Sequence, residues 1–281
     1  MEPNLKEVER IIATALAEDI GKGDVTAELL VPPNATATLS FVTREPLVMC
    51  GGAVVTRVFF KVDPTIKTKL FANDGKRMTA GTKLIDVSGP AREILSAERV
   101  ALNLLARMCA VATLTAHYVK AVHGTGVSVI DTRKTMPGLR ELDKYAVRAG
   151  GGRNHRMRLD DAILIKDNHI ALAGSVSEAF SRAKAGNTHK LPIEIECDTL
   201  AQVQEALKAG AQSIMLDNMD IPTLHEAVKL VAGRASLEAS GNITLDNARQ
   251  VAQTGVDYIS VGRLTHSVPS VDIGLDILVK N

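Results

Sequence analysis

From Gly126 onward the chain repeats one rhythm: a short β-rich run, one or two polar residues, then a helix-patterned segment. The runs fall at residues 127–130, 162–165, 193–195, 213–216, 235–237 and 258–261, with segments such as SVSEAFSRAKAG and TLAQVQEALKAG between them. Strands that alternate with helices over short connections predict parallel strands joined by right-handed crossovers. Six strands give an α/β fold, and a complete (β/α)8 barrel would need two more than the pattern shows. The helical segments tend to stop at Ala-Gly, consistent with a glycine just past the helix C-terminus.

Each run ends in polar groups: Asp131 and Arg133, Lys166 and Asp167, Glu196 and Asp198, Asp217 and Asn218, Glu238 and Ser240, Gly262 and Arg263. In a barrel of parallel strands the chemistry sits at the C-terminal strand ends. The stretch 131–169 also crowds Arg133, Lys134, Arg153, His155, Arg156, Arg158, Lys166 and His169 around Gly150-Gly151-Gly152. Cations on loops beside apolar strands point to a pocket for a strongly anionic small molecule. Taken singly, these residues also suit surface charges paired with Glu141, Asp143, Asp160 or Asp161. For Arg153 and Arg158 that plainer role is the expectation.

Arginine pairs with planar carboxylates through two N–H groups, and lysine supplies a compact charge for phosphate or carboxylate. Glu196 and Asp217 add two carboxylates at the same mouth, suited to Mg²⁺ carried by a phosphate substrate or to ribose hydroxyls. An ion pair with Lys166 or Arg133 is the alternative. Glu194, two residues before Glu196, shares its face and would lie one layer deeper if that face looks inward. Ser240-Gly241-Asn242 and Gly262 provide backbone N–H groups for a phosphate. The triple glycine lacks the strand–GxGxxG–helix context of a dinucleotide fingerprint. Lys166 at a strand end also fits a Schiff-base lysine, but the surrounding arginines suit an anion pocket better.

The first third reads differently. An amphipathic helix carries Val8, Ile11, Ile12, Ala15 and Leu16 on one face, and is not a signal peptide. Strand-like runs at 36–42 and 65–71 surround a helix-like AVVTRVFFKV, which predicts an α+β domain, and a long helical run at 91–123 follows. A net charge of +1, 3% aromatic residues and no Trp argue against nucleic-acid binding. No uninterrupted apolar run approaches about 18 residues, so no membrane span is expected. Cys50, Cys109 and Cys197 are scattered, without disulfide or zinc spacing, consistent with a cytoplasmic protein.

The segments DTRKTMPGLR, GGGRNHRMRL, ILIKDNH, IEIECD, IMLDNM, LEASGNIT and DYISVGRLTHS, with the earlier LAEDIGKGDVT and LSAERVALNLL, resemble the quinolinate phosphoribosyltransferase family nearly end to end. The resemblance implies an N-terminal α/β sandwich at residues 1–112, with 269–281 packing back on it, and an incomplete six- or seven-stranded α/β barrel at 113–268. It implies transfer of the phosphoribosyl group of phosphoribosyl pyrophosphate (PRPP) to quinolinate with loss of CO₂, with Mg²⁺ as cofactor. It also implies a homo-oligomer built from dimers with shared active sites.

By resemblance, Arg133, His155 and Arg156 bind the quinolinate carboxylates, and Arg99 is donated by the partner subunit. Lys134 and Lys166 neutralise carboxylate and pyrophosphate charge. Glu196 and Asp217 lie near ribose and Mg²⁺. Ser240, Gly241 and Gly262, with His169 as an addition, hold the 5′-phosphate. Arg158 and Arg263 stand where relatives vary. A related phosphoribosyltransferase, either for nicotinate or the molybdenum-operon paralogue of the family, and a non-catalytic phospho-ligand barrel are the alternatives. The arginine set disfavours the first, and the carboxylate pair disfavours the second.

Overall fold

The computed structural model describes residues 2–277. In chain order the strands are β1 (Thr36–Thr43), β2 (Leu47–Val48), β3 (Lys67–Leu70), β4 (Arg77–Met78), β5 (Lys83–Pro90), β6 (Ser128–Ile130), β7 (Ile163–Ile165), β8 (Ile193–Cys197), β9 (Ser213–Asp217), β10 (Ser236–Ser240), β11 (Tyr258–Ser260) and β12 (Ile273–Ile277). The helices are α1 (Leu5–Ile20), α2 (Val25–Leu30), α3 (Gly52–Val62), α4 (Ala91–Ala121), α5 (Arg140–Ala149), α6 (Asp167–Ala173), α7 (Val176–Gly186), α8 (Leu200–Ala209), α9 (Ile221–Val231), α10 (Ala248–Ala252) and α11 (Arg263–His266).

Two compact units result. The first holds the chain up to Ala116, Thr135–Gly151 and the segment from Leu264 onward. Its main sheet is antiparallel, ordered β12-β1-β5-β3. Strand β1 is buried from Leu39 through Thr43, since both its edges are paired and Phe41 packs edge-on against Phe59 of α3 at 6.0 Å. Val8, Ile11, Ile12 and Leu16 are the buried face of α1, and Asn4 caps its N-terminus. Glu9 ties α1 to Arg57 and Lys61 of α3 at 2.7 and 3.7 Å.

The expected barrel range 113–268 differs from this division at its two ends, where 113–116 and 264–268 join the first unit, and at one internal segment. Residues Thr135–Gly151 lie within the expected barrel range but belong to the first unit. Two local features hold them there. Buried Asp143 on α5 accepts two N–H groups of Arg107 at 2.9 and 3.0 Å, and Gly150 lies so close to α4 that an added Cβ would meet Ala112 O at 2.4 Å. The glycine run thus serves close packing rather than a nucleotide. The expected return of 269–281 takes the form of β12 against β1, while residues 278–281 lie outside the described residues.

By length and composition α4 could cross a membrane, which a search for uninterrupted apolar runs does not find. Charged residues punctuate it, and 67% of its most apolar stretch is buried, so it is accounted for as a core helix.

The second unit comprises His117–Lys134 and Gly152–Arg263. Its sheet is wholly parallel, ordered β6-β11-β10-β9-β8-β7. The first strand lies beside the last while β6 and β7 do not pair, the arrangement of a barrel left open at one seam. Arg153 makes an isolated parallel bridge to Ile130 on the seam side of β6, a rudiment of a seventh strand. Helices start at side-chain caps: Ser175 for α7, Thr199 with Gln202 for α8, and Asp220 before Pro222 for α9. The expected glycine stop holds at Gly210 after α8, whereas Gly186 ends inside α7 and Ala232 takes the left-handed position after α9.

Replacing Asp143 with Ala leaves the Arg107 guanidinium buried without its carboxylate, and should lower stability to urea by about 3 kcal/mol. An unchanged unfolding midpoint would show that this pair does not hold α5.

Candidate active site

Side chains alternate along a strand, so every second residue of the barrel strands faces inward. Glu194 and Glu196 on β8, Met215 and Asp217 on β9, Glu238 and Ser240 on β10, and Tyr258 and Ser260 on β11 therefore stack in three layers, with Glu194 lowest, Glu196, Met215, Glu238 and Tyr258 level above it, and Asp217, Ser240 and Ser260 at the top. The register pairs Glu196 with Met215, Glu238 with Met215 and Glu238 with Tyr258. The upper two layers apart from Tyr258, with Thr132, Arg133, Lys134, His155, Arg156 and Lys166, line a cavity of about 370 Å³. A second cavity of about 460 Å³ lies against the lower layer, lined by Glu194, Ser213, Ser236 and Tyr258. His155, Arg156 and Glu238 border both.

The loop after the triple glycine is held by one buried carboxylate. Asp131 accepts from Asn154 Nδ2 at 2.5 Å and from the His155 backbone N–H at 2.9 Å. The imidazole then spans the loop and the barrel floor. Its Nδ1 accepts the Arg156 backbone N–H at 2.8 Å, so the proton of the neutral ring is on Nε2, which donates to Glu194 at 2.7 Å. Ser213 Oγ donates to the other Glu194 oxygen at 3.0 Å. Glu238 Oε2 stands 3.7 Å from the same Nε2, too far for a second hydrogen bond.

Glu238 is 3% exposed, and its Oε1 and the nearby Ser260 Oγ have no hydrogen-bond partner. Burial, then the charge of Glu194, pushes its carboxyl up to about 8, against the opposing pull of His155 and Ser260 and with a further push from Asp131. The folded protein therefore keeps a proton here that the unfolded chain loses near its ordinary value of 4.5. Glu238 makes stability fall as pH rises between those values.

Arg133 Nε and Arg156 Nε are also buried without partners, although Arg156 Nη1 donates to Ala162 O at 3.0 Å. Burial and the neighbouring Arg133 lower the Arg156 pKa, partly offset by Asp161 and Glu194. Two like-charged guanidinium groups with unpartnered Nε–H groups on one cavity wall favour a bound anion.

Lys166 Nζ donates to Glu196 Oε2 at 3.0 Å, the ion pair foreseen as the alternative. Burial raises the Glu196 pKa despite Lys166, with Asp217 and Asp167 adding to the rise. Glu196, Asp198 and Asp217 offer oxygens within 4.8 Å of one another, a hard donor set of the kind that suits Mg²⁺.

Ser240 lines the cavity, and Gly241 follows at φ 89°, where a Cβ would meet Asn218 Oδ1 at 2.1 Å. Gly262 occupies the turn between β11 and α11. His169 does not line this cavity. It sits on α6, where its Nδ1 accepts the Lys166 backbone N–H at 2.9 Å. Arg99 is exposed on α4 of the first unit. Arg158 is exposed beside Asp160 at 3.5 Å, as the plainer reading had it, whereas Arg153 lines the second cavity. Glu238 and Ser260 are the residues that sequence reasoning did not assign. Their signal was the same alternation that placed Glu194 beneath Glu196.

The family model for the quinolinate phosphoribosyl transferase C-terminal domain matches residues 111–276, and that for the N-terminal domain matches residues 24–109. The chain is 45% identical over 273 residues to the nicotinate-nucleotide pyrophosphorylase [carboxylating] of Mycobacterium leprae, covering 95% of each chain. It is 40% identical over 278 residues to a probable enzyme of the same name from Bacillus subtilis, covering 99% of this chain and 96% of that one. The crystal structure of nicotinate-nucleotide pyrophosphorylase from Ehrlichia chaffeensis superposes with a TM-score of 0.93 at 42% identity, covering 96% and 98% of the two chains. With both domain models matched in order and these relatives aligned nearly end to end, the chain belongs to the quinolinate phosphoribosyltransferase family.

Proposed function

We propose that this protein transfers the phosphoribosyl group of PRPP to quinolinate with decarboxylation, giving nicotinate mononucleotide, pyrophosphate and CO₂. The observation that carries this reading is the pair Arg133 and Arg156, each with an unpartnered Nε–H, on the wall of a cavity that also holds Glu196 and Asp217. A cavity built only to bind polyanions has no use for those carboxylates.

Arg133 and Arg156 clamp the adjacent carboxylates, with His155 holding the Arg156 backbone in place, and aim the pyridine nitrogen at the ribose C1, which supplies the proximity term. Lys134 and Lys166 offset the charge of carboxylate and pyrophosphate. Departure of pyrophosphate leaves oxocarbenium character at C1, and Glu196 and Asp217 hold the ribose hydroxyls. Glu196 and Asp217, with Asp198, are the residues that would hold Mg²⁺ arriving with PRPP, and the ion would neutralise phosphate charge. Ser240, Gly241 and Gly262 present backbone N–H groups to the 5′-phosphate, with His169 steadying the Lys166 backbone. After the pyridine nitrogen is alkylated, its positive charge stabilises the carbanion left at C2 by departing CO₂.

The site is completed in a homo-oligomer built from dimers, with Arg99 donated by the partner subunit. Exposed Leu29 and Leu30 on α2 and Leu95, one helical turn before Arg99 on α4, support a covered surface there. The protein acts in the cytoplasm, with neither nucleic acid nor membrane as partner.

With Mg²⁺ and PRPP, quinolinate should yield CO₂ and pyrophosphate in equal amounts while nicotinate yields little. Equal or better turnover of nicotinate would contradict the assignment. Arg133→Ala should raise the quinolinate KM by roughly 10- to 100-fold, the worth of a charge-assisted hydrogen bond. Glu196→Ala should instead lower kcat more than it weakens quinolinate. Mixing Arg99→Ala subunits with Arg133→Ala subunits should restore activity that neither has alone, and no recovery would rule out the shared site.

A further inference from the structure

Loss of CO₂ from quinolinate breaks the C2–carboxyl bond and leaves its electron pair on C2, so a proton must arrive there to make the C–H bond of the product. The groups at the cavity floor differ in their readiness to give one. His155 has its Nε2–H donated to Glu194 and its Nδ1 occupied by the Arg156 N–H. Lys166 has its ammonium on Glu196. Glu238 differs from both. Two carboxylates converge on one imidazole N–H, Glu194 takes it at 2.7 Å, and Glu238 is left 3.7 Å away and almost wholly buried. A charge there would lack compensation, so the group holds a proton. Glu238 and Ser260 line the substrate cavity, and Glu238 Oε1 and the Ser260 hydroxyl are buried without hydrogen bonds among the described residues.

We propose that Glu238 is the general acid of the decarboxylation, delivering its proton to C2 as CO₂ leaves. This rests on the quinolinate reading above. The Glu238 O–H bond breaks, the proton joins the C2 electron pair, and Glu238 is left as carboxylate. The second cavity borders the same residue, and Ser213, Ser236 and Tyr258 stand on its wall, where water returns the proton. The charged and titratable groups facing Glu238 are Glu194 on β8, Asp131 after β6, and His155 and Arg156 on the intervening loop, with Tyr258 opposite it on β11. Burial and Glu194 hold the Glu238 proton up to about 8, so the rate of CO₂ release should fall as pH rises through that value.

The test is the pH dependence of CO₂ release by the full-length enzyme with Mg²⁺, PRPP and quinolinate, for the wild type, Glu238→Gln and Glu238→Asp. Quinolinate binding by calorimetry reports whether each variant keeps its site. Glu238→Gln should bind quinolinate within about threefold of wild type, lose roughly 100-fold in kcat, and lack the alkaline limb. Glu238→Asp should recover part of kcat and retain such a limb. Wild-type kcat in Glu238→Gln, or an alkaline limb unchanged in it, overturns the proposal. So does a Glu238→Asp enzyme that binds quinolinate normally yet shows no limb. If the wild type fails to release CO₂ from quinolinate, the substrate reading itself fails and this proposal falls with it.

Discussion

One imidazole proton sought by two inward-facing carboxylates organises the interior of the barrel unit. Glu194 and Glu238 reach His155 from different strands, and only Glu194, supported by Ser213, comes within hydrogen-bond distance. The outcome fixes the ring's tautomer and orientation and leaves Glu238 as a neutral acid. It also requires the loop to be held from above. Asp131, at the end of β6, does this by taking both Asn154 and the His155 backbone. Remove that anchor and the arginine wall loses its footing, because Arg156 is the next residue along.

Above this floor the cavity has two electrostatic sides. Arg133 and Arg156 stand together with unpartnered N–H groups despite repelling one another, a costly arrangement that a dicarboxylate would relieve. Opposite them Glu196 is paired with Lys166 but still burdened by Asp217 and Asp167, an excess of negative charge that a cation or ribose hydroxyls would relieve. Each side is unfavourable alone, and each matches one part of a substrate pair with anionic and cation-carrying ends.

The strand rhythm, the open barrel and the strand-end chemistry were legible because apolar runs and their polar ends are local properties. Arg133, His155, Arg156, Lys166, Glu196, Asp217 and Ser240 all line one cavity, as their positions at strand ends and on the adjoining loop implied. What was not legible depends on register between strands. Nothing local says that Glu238 stands level with Met215 and Tyr258, or that it meets a histidine more than eighty residues earlier. The assignment of 135–151 to the first unit was hidden for a similar reason. It turns on Asp143 finding Arg107 and on Gly150 meeting Ala112, neither of which leaves a periodic signal. His169 had a residue type that fits phosphate, yet its ring is used on the backbone beside it.

The central claim is that this cavity recognises two adjacent carboxylates on one ring. Calorimetric titration of the unmodified protein at neutral pH with pyridine-2,3-dicarboxylate and with pyridine-3-carboxylate measures it directly. The account predicts at least roughly tenfold tighter binding of the dicarboxylate, about 1.4 kcal/mol for the additional charged contact. Equal affinity for the two would contradict it.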